Sequence, residues 1–111
     1  RRALPDMVSR LDAVFNAAHA ALMVEALTRD PELVWVAMRD RLHQDVRLAL
    51  VPSVREVFER LRAGSIPVCV SGAGPTLLAF DRPDRLVPDP GTGWRVLRLA
   101  VAPTGVEVTE G

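Results

Sequence analysis

The stretch Val68–Phe80, VCVSGAGPTLLAF, runs from strand-forming residues into Ser71-Gly72-Ala73-Gly74-Pro75-Thr76 and out into a second apolar run. The pattern predicts two short buried strands, Ile66 to Val70 and Leu77 to Phe80, joined by a loop with almost no side chains. A plain turn needs only one or two special residues. A loop stripped this far implies that something approaches its backbone closely.

Gly72 and Gly74 tolerate positive φ at little steric cost, and Ala73 adds only a methyl group. Pro75 fixes one φ and removes one amide donor, so the loop is stiff. Consecutive free N–H groups, with the Ser71 and Thr76 hydroxyls at the edges, make a concavity suited to phosphate or carboxylate. A tight turn between closely packed backbones explains the same glycines, and the residues alone leave both readings open.

Upstream of the loop the periodicity is helical. From about Pro5 to Thr28, Leu11, Val14, Phe15, Ala18, Leu22 and Ala26 recur at helical spacing as one apolar stripe, with Pro5 placed in the first turn. Asp12, Asn16, His19 and Met23 share the flank of that stripe. Asp30-Pro31-Glu32 predicts a second helix to about Leu42, and the segment after it an irregular stretch closed by Pro52. Ser53 with Glu56 reads as a capping box, with Val54, Val57, Phe58 and Leu61 as the buried face and Gly64 as a left-handed cap. Downstream, Asp81–Gly93 is rich in Pro, Gly and Asp and predicts a loop. The stretch from Trp94 to Glu110 predicts a hairpin turning near Ala102-Pro103-Thr104-Gly105. Helices first and strands last define an α+β domain with two layers, about three helices on one face of a small antiparallel sheet.

The 111 residues suffice for one domain, and 49% of them are apolar, so a core can be buried. Fourteen basic and 14 acidic side chains cancel, which argues against a nucleic-acid or membrane-surface role driven by bulk charge. The single cysteine, Cys69, excludes an internal disulfide and suits a reducing cytoplasm, where it reads as a small buried hydrophobe. No apolar run approaches the roughly eighteen residues of a membrane span, and no metal-binding Cys/His spacing occurs. The opening Arg-Arg-Ala-Leu-Pro, without Met, reads as a segment of a longer protein.

Ser71 to Thr76 between two apolar strands resembles the third signature motif of the GHMP small-molecule kinases. Arg1, Leu4 and Pro5, then Asp12, Ala13 and Asn16, then His43, Gln44 and Arg47, and finally the glycine loop stand in the order typical of the L-homoserine-phosphorylating branch. The resemblance implies a ferredoxin-like C-terminal domain, ATP with Mg2+ as cofactors, L-homoserine as substrate, the protein's own N-terminal domain as partner, and a homodimer as an option. It places Arg1 and Arg47 on the substrate carboxylate, which suits paired guanidinium hydrogen bonds, and adds Asn16 as a substrate-side position. Ser71, Gly72, Ala73, Gly74 and Thr76 would support the phosphate region. No residue is assigned a catalytic or metal-ligating role.

The family's main ATP-binding loop, of the P-x-x-x-G-L-x-S-S type, does not occur in this sequence, nor does a Walker A motif. The segment is therefore expected to hold at most half an active site and to be inactive alone. Two features depart from the family pattern: Asp45-Val46 stands where Pro-Tyr is common before the second arginine, and prolines replace the helix that follows the glycine motif. Arg47 paired with Asp45, His43 as a helix-end residue satisfied by backbone, His19 and Asn16 as a polar rim, and Trp35 and Trp94 as packing residues are the structural alternatives. Another GHMP kinase acting on a different alcohol, or a non-catalytic anion-binding or regulatory module, are the alternatives in function.

Overall fold

A computed structural model describes residues 3–105 and Val108. Arg1 and most of the predicted second hairpin arm, Val106, Glu107 and Thr109, lie outside the described residues. In chain order the elements are α1 (Arg10–Thr28), a short 3-10 turn (Pro31–Leu33), α2 (Val34–Ala37), α3 (Gln44–Leu50), α4 (Pro52–Ala63), β1 (Val68–Val70) and β2 (Leu77–Ala79). The α+β class with a small antiparallel sheet is as expected from sequence.

Helix α1 begins later than Pro5 because Ser9 caps it. The Ser9 hydroxyl accepts the Asp12 N–H at 3.0 Å and donates to the Asp12 carboxylate, satisfying an orphan amide at the helix start. Only the C-terminal half of its apolar stripe is packed. Ala26 is buried with Val34, Ala37 and Met38, and Leu22 and Met23 pack against them, whereas Leu11 and Val14 are exposed. The second helical run ends at Ala37 rather than Leu42, and α3 forms where an irregular segment was predicted. The cause is Asp40. Its carboxylate takes amides that a continuous helix would have spent on upstream carbonyls.

Helix α4 starts at Pro52, which lacks the donor that a first-turn residue cannot use, so Ser53 sits inside the helix rather than capping it. The predicted face of Val54, Val57, Phe58 and Leu61 is buried. The C-terminus is a Schellman motif. The Ser65 N–H donates to the Arg62 carbonyl and the Ile66 N–H to the Leu61 carbonyl, at 2.9 and 3.0 Å. The left-handed residue is therefore Ser65, at φ 58, and not Gly64, at φ −77. Leu61 and Ile66, which the motif brings together, are both in the core.

Strands β1 and β2 pair antiparallel, with Val68 opposite Ala79, Cys69 opposite Leu78 and Val70 opposite Leu77. Successive side chains of a strand point to opposite faces, and β1 uses both. Val68 and Val70 join Leu48, Val54, Val57, Phe58, Leu61 and Ile66 in one cluster. Cys69 and Phe80 pack against the other, beside α1 and α2. The helices thus divide between the two sides of β1. The residues from Asp81 to Gly93 form a loop as predicted, held by Asp81, which accepts the Val87 N–H at 2.6 Å and pairs with Arg98 at 2.8 Å. The first arm of the predicted second hairpin is not paired among the described residues, and Leu97, Leu99 and Val101 are exposed. Trp94 packs on the first cluster, and Trp35 lies beneath the Arg62 guanidinium at 4.7 Å.

An L-residue in the left-handed region costs about 1–2 kcal/mol, partly offset by the greater chain entropy of glycine. Ser65→Gly is therefore expected to raise stability by about 0.5–1 kcal/mol, read as a higher urea midpoint. A lower midpoint would contradict the cap.

Candidate functional site

The glycine loop closes the β1–β2 hairpin through two backbone hydrogen bonds, Ser71 N–H to the Thr76 carbonyl at 2.9 Å and Gly74 N–H to the Ser71 carbonyl at 3.0 Å. Gly72 and Gly74 both take positive φ, at 57° and 71°. Both glycines are thus in the conformations that their place in the loop predicted. The amides of Gly72 and Ala73, exposed at the tip, have no acceptor among the described residues. That leaves consecutive N–H groups open to an anion.

Helix α3 holds this loop. Gln44 and Arg47 lie about one turn apart on the same face. The Gln44 side-chain carbonyl accepts the Val70 N–H at 2.9 Å, at the residue before the loop. The Arg47 guanidinium donates from Nη1 to the Ala73 carbonyl at 2.8 Å, at the loop's centre. Among the described residues Arg47 makes no ion pair with Asp45, so the acid in place of the family's Pro-Tyr leaves it unneutralised. Its Nε is buried without a partner among the described residues. A cavity of about 140 Å³ lies here, lined by Arg47, Ala73, Gly74 and Pro75 on one side and by Leu48, Val51 and Val54 on the other.

The start of α3 is fixed by Asp40. Its Oδ1 accepts the amides of Leu42, His43 and Gln44 at 3.0, 2.7 and 2.8 Å. Its Oδ2 accepts from the Asn16 side chain, and Asn16 in turn accepts the Arg41 N–H at 2.9 Å. Burial pushes the Asp40 carboxyl upward, but the Gln44 and His43 amides, the Asn16 amide and the nearby His43 outweigh it and hold the group below the ordinary aspartate value. Asn16 therefore ties α1 to the residues before α3. His43 is not satisfied by backbone: its Nε2 stands 3.6 Å from Asp40, and its Nδ1 is buried with no partner among the described residues. His19 Nδ1 donates to the Phe15 carbonyl at 2.8 Å, which fixes that nitrogen as the protonated one. Phe15 stacks on His19 with ring centroids 3.8 Å apart and lies under the Arg41 guanidinium.

Asn16, His19, Met23, Asp40, His43 and Gln44 line a second, more open cavity of about 250 Å³, as the predicted flank of α1 requires. Cys69 also borders it, and burial followed by the Asp40 charge pushes its thiol up, which suits an inert residue. Val70 borders both cavities, and the two described positions that the resemblance assigns to the substrate line different ones. Arg47 is with the glycine loop, and Asn16 is on the other side of Gln44. The residues that reading the sequence left without a role are Asp40 and Gln44. Asp40 stands four residues before the first residue of α3, too far upstream for an ordinary capping signal, and Gln44, although part of the matched element, falls in a stretch whose sequence predicts no helix. No group of three or more His, Cys, Asp or Glu among the described residues could hold a metal ion, and no described helix is long and apolar enough to cross a membrane.

With this geometry in place, the comparisons are consistent. The family profile described as "GHMP kinases C terminal" matches residues 21–87. The chain belongs to the GHMP kinase C-terminal family. It is 46% identical to a homoserine kinase of Streptomyces avermitilis over 97% of its length, 45% identical to that of Streptomyces coelicolor over 97%, and 41% identical to that of Corynebacterium glutamicum over 99%. It spans 36 to 37% of the length of these relatives.

A Cβ at Gly74 would stand 3.3 Å from Val70 Cγ1, whereas one at Gly72 meets nothing within 4 Å. Both sites carry the left-handed penalty, so Gly72→Ala is expected to cost about 1 kcal/mol and Gly74→Ala clearly more, read by urea denaturation. The reverse order would contradict the loop geometry. Because the Asp40 carboxyl lies below its ordinary value, its contribution is complete above the unfolded-state value of about 3.9 and is lost as pH falls through the folded one. Asp40→Ala should cost about 1–2 kcal/mol at neutral pH, and the gap to wild type should narrow below about pH 4. A gap independent of pH would contradict a charged cap.

Proposed function

We propose that residues 1–111 are the C-terminal domain of a homoserine kinase, the ATP-binding domain lying elsewhere in the complete protein. The reaction is transfer of the ATP γ-phosphoryl group to the side-chain hydroxyl of L-homoserine, an early step of threonine synthesis. The observation that carries the reading is the placement of Arg47 against the glycine loop, one helical turn from Gln44. That arrangement puts a carboxylate-binding side chain beside open backbone amides, which suits an amino-acid alcohol entering next to a phosphate group.

In this reading the Gly72 and Ala73 amides support the phosphate region with Ser71, Gly74 and Thr76 forming the frame. Arg47 keeps Nη1 on the loop and offers its remaining terminal N–H groups to the substrate carboxylate. Arg1, matched through sequence alone, is the second carboxylate arginine, and Asn16 is the substrate-side residue of α1. ATP supplies the phosphoryl group when bound. The open amides of the loop fit a phosphate oxygen, while Mg2+ and the main nucleotide contacts belong to the rest of the protein. A cytoplasmic setting suits the single free Cys69, and a homodimer belongs to the same family reading.

The test is ATP consumption by the complete protein offered L-homoserine and a panel of alcohols without the carboxylate. Turnover with homoserine alone is expected. Turnover on a carboxylate-free alcohol would overturn the arginine assignment, and no turnover on any would leave a binding module. Arg47→Lys and Arg1→Lys should each raise the homoserine KM about tenfold, with the KM for ATP changed less than about twofold. An unchanged homoserine KM in both would overturn their role.

A further inference from the structure

Gln44 is the one buried polar side chain among the described residues, at 4% exposure. An apolar residue of the same length would fill its place beside Leu48 and Val70 without the cost of desolvating an amide. What the amide supplies is an acceptor. β1 has β2 along one edge, and at its last residue the Val70 N–H turns instead to the Gln44 carbonyl at 2.9 Å, where a third strand would otherwise stand. Ser71 follows at once, and its N–H closes the loop onto Thr76. Gln44 itself is held in place, since its own N–H is one of those on the Asp40 carboxylate, at 2.8 Å.

We infer that Gln44 is a positioning residue for the glycine loop in phosphoryl transfer, an inference that rests on the kinase reading. Gln44 fixes the peptide before the loop and Arg47 fixes the Ala73 carbonyl within it, so a single helix face pins the backbone on both sides of Gly72. Gly72 has no side chain to hold it and nothing within 4 Å of where a Cβ would stand, so its conformation depends on those anchors. Donors aimed at developing charge act only when they are oriented before the reaction. Gln44 touches neither substrate nor nucleotide in this scheme. It sets the direction of the amides that do, whereas Arg47 also binds the substrate carboxylate. The two residues therefore have separable kinetic signatures.

The experiment uses the complete protein with Gln44→Met, which keeps length and loses the acceptor, and Gln44→Glu, which restores an acceptor oxygen at the same reach. Gln44→Met is expected to lower kcat about tenfold, the size that one buried hydrogen bond carries, while the homoserine KM stays within about twofold. Gln44→Glu should recover most of the loss. Hydrogen exchange, which needs no turnover, should show the hydrogen-bonded amides of Ser71 and Gly74 exchanging about tenfold faster in Gln44→Met, with those of α4 unchanged. An unchanged kcat with unchanged loop exchange would overturn the inference, as would a Gln44→Glu variant no better than Gln44→Met, since the effect would then be one of packing. If Gln44→Met does not fold, Gln44→Asn, which withdraws the carbonyl by one methylene, must show the same loss of kcat and the same local exchange, and normal values would overturn the role. Wild-type protein inactive on homoserine would sink the kinase reading, while the exchange measurement would still decide whether Gln44 orders the loop.

Discussion

The carboxylate of Asp40 is the constraint from which the arrangement of the site follows. Its Oδ1 gathers the amides that open α3, and its Oδ2 takes the side chain of Asn16 from α1. One half-buried anion thus decides where one helix starts and how another lies beside it. A helix turns about 100° per residue, so starting α3 one residue earlier or later would swing Gln44 and Arg47 off the face that meets β1. Neither the hydrogen bond at Val70 nor the one at Ala73 would survive that rotation. The anion costs desolvation, and it is tolerated because four donors meet it.

The second determinant is the exit from α4. Ser65 in the left-handed region turns the chain so that Ile66 folds back on Leu61, and the next residues enter β1 with Val68 and Val70 facing the same cluster. The cluster formed by α3, α4 and β1 then presses on the sheet from one side, and the α1–α2 cluster reaches Cys69 and Phe80 from the other. A strand of three residues anchored on both faces, and tied to a helix at its end, is a firm base for a loop that has little of its own to hold it.

Much of this was legible in the sequence, and the parts that were not have a common cause. The strands around the glycine loop, the positive φ of Gly72 and Gly74, the buried face of α4, the flank of Asn16, His19 and Met23, and the irregular Asp81–Gly93 segment all follow from local pattern. What local pattern missed are the boundaries set by side chains acting at a distance. Asp40 capping α3 from four residues upstream turned a predicted helix end into a break and a predicted irregular stretch into a helix. Ser65 rather than Gly64 takes the left-handed position because the cap is set by which amides reach the Leu61 and Arg62 carbonyls, not by which residue is most tolerant. The apolar stripe of α1 is legible as one face, but periodicity reports which residues share a face, and not whether a partner covers it. Leu11 and Val14 share the face and remain exposed.

The site illustrates why a polar network is kept where an apolar core would be cheaper. Asn16, Asp40, Gln44 and Arg47 each use a side chain to hold a specific backbone or side-chain atom, and each bond is directional in a way that packing is not. Leucines at these positions would hold the helices together but would let α3 slide and rotate against the sheet, since dispersion contacts are nearly indifferent to small shifts. Arg47 makes the point most sharply. A planar guanidinium can keep one nitrogen on the Ala73 carbonyl and still present another edge to a carboxylate, which a lysine ammonium cannot do in fixed geometry. In the proposed kinase reading, a carboxylate held by the remaining guanidinium N–H groups would be placed relative to the Gly72 and Ala73 amides by covalent geometry and one hydrogen bond.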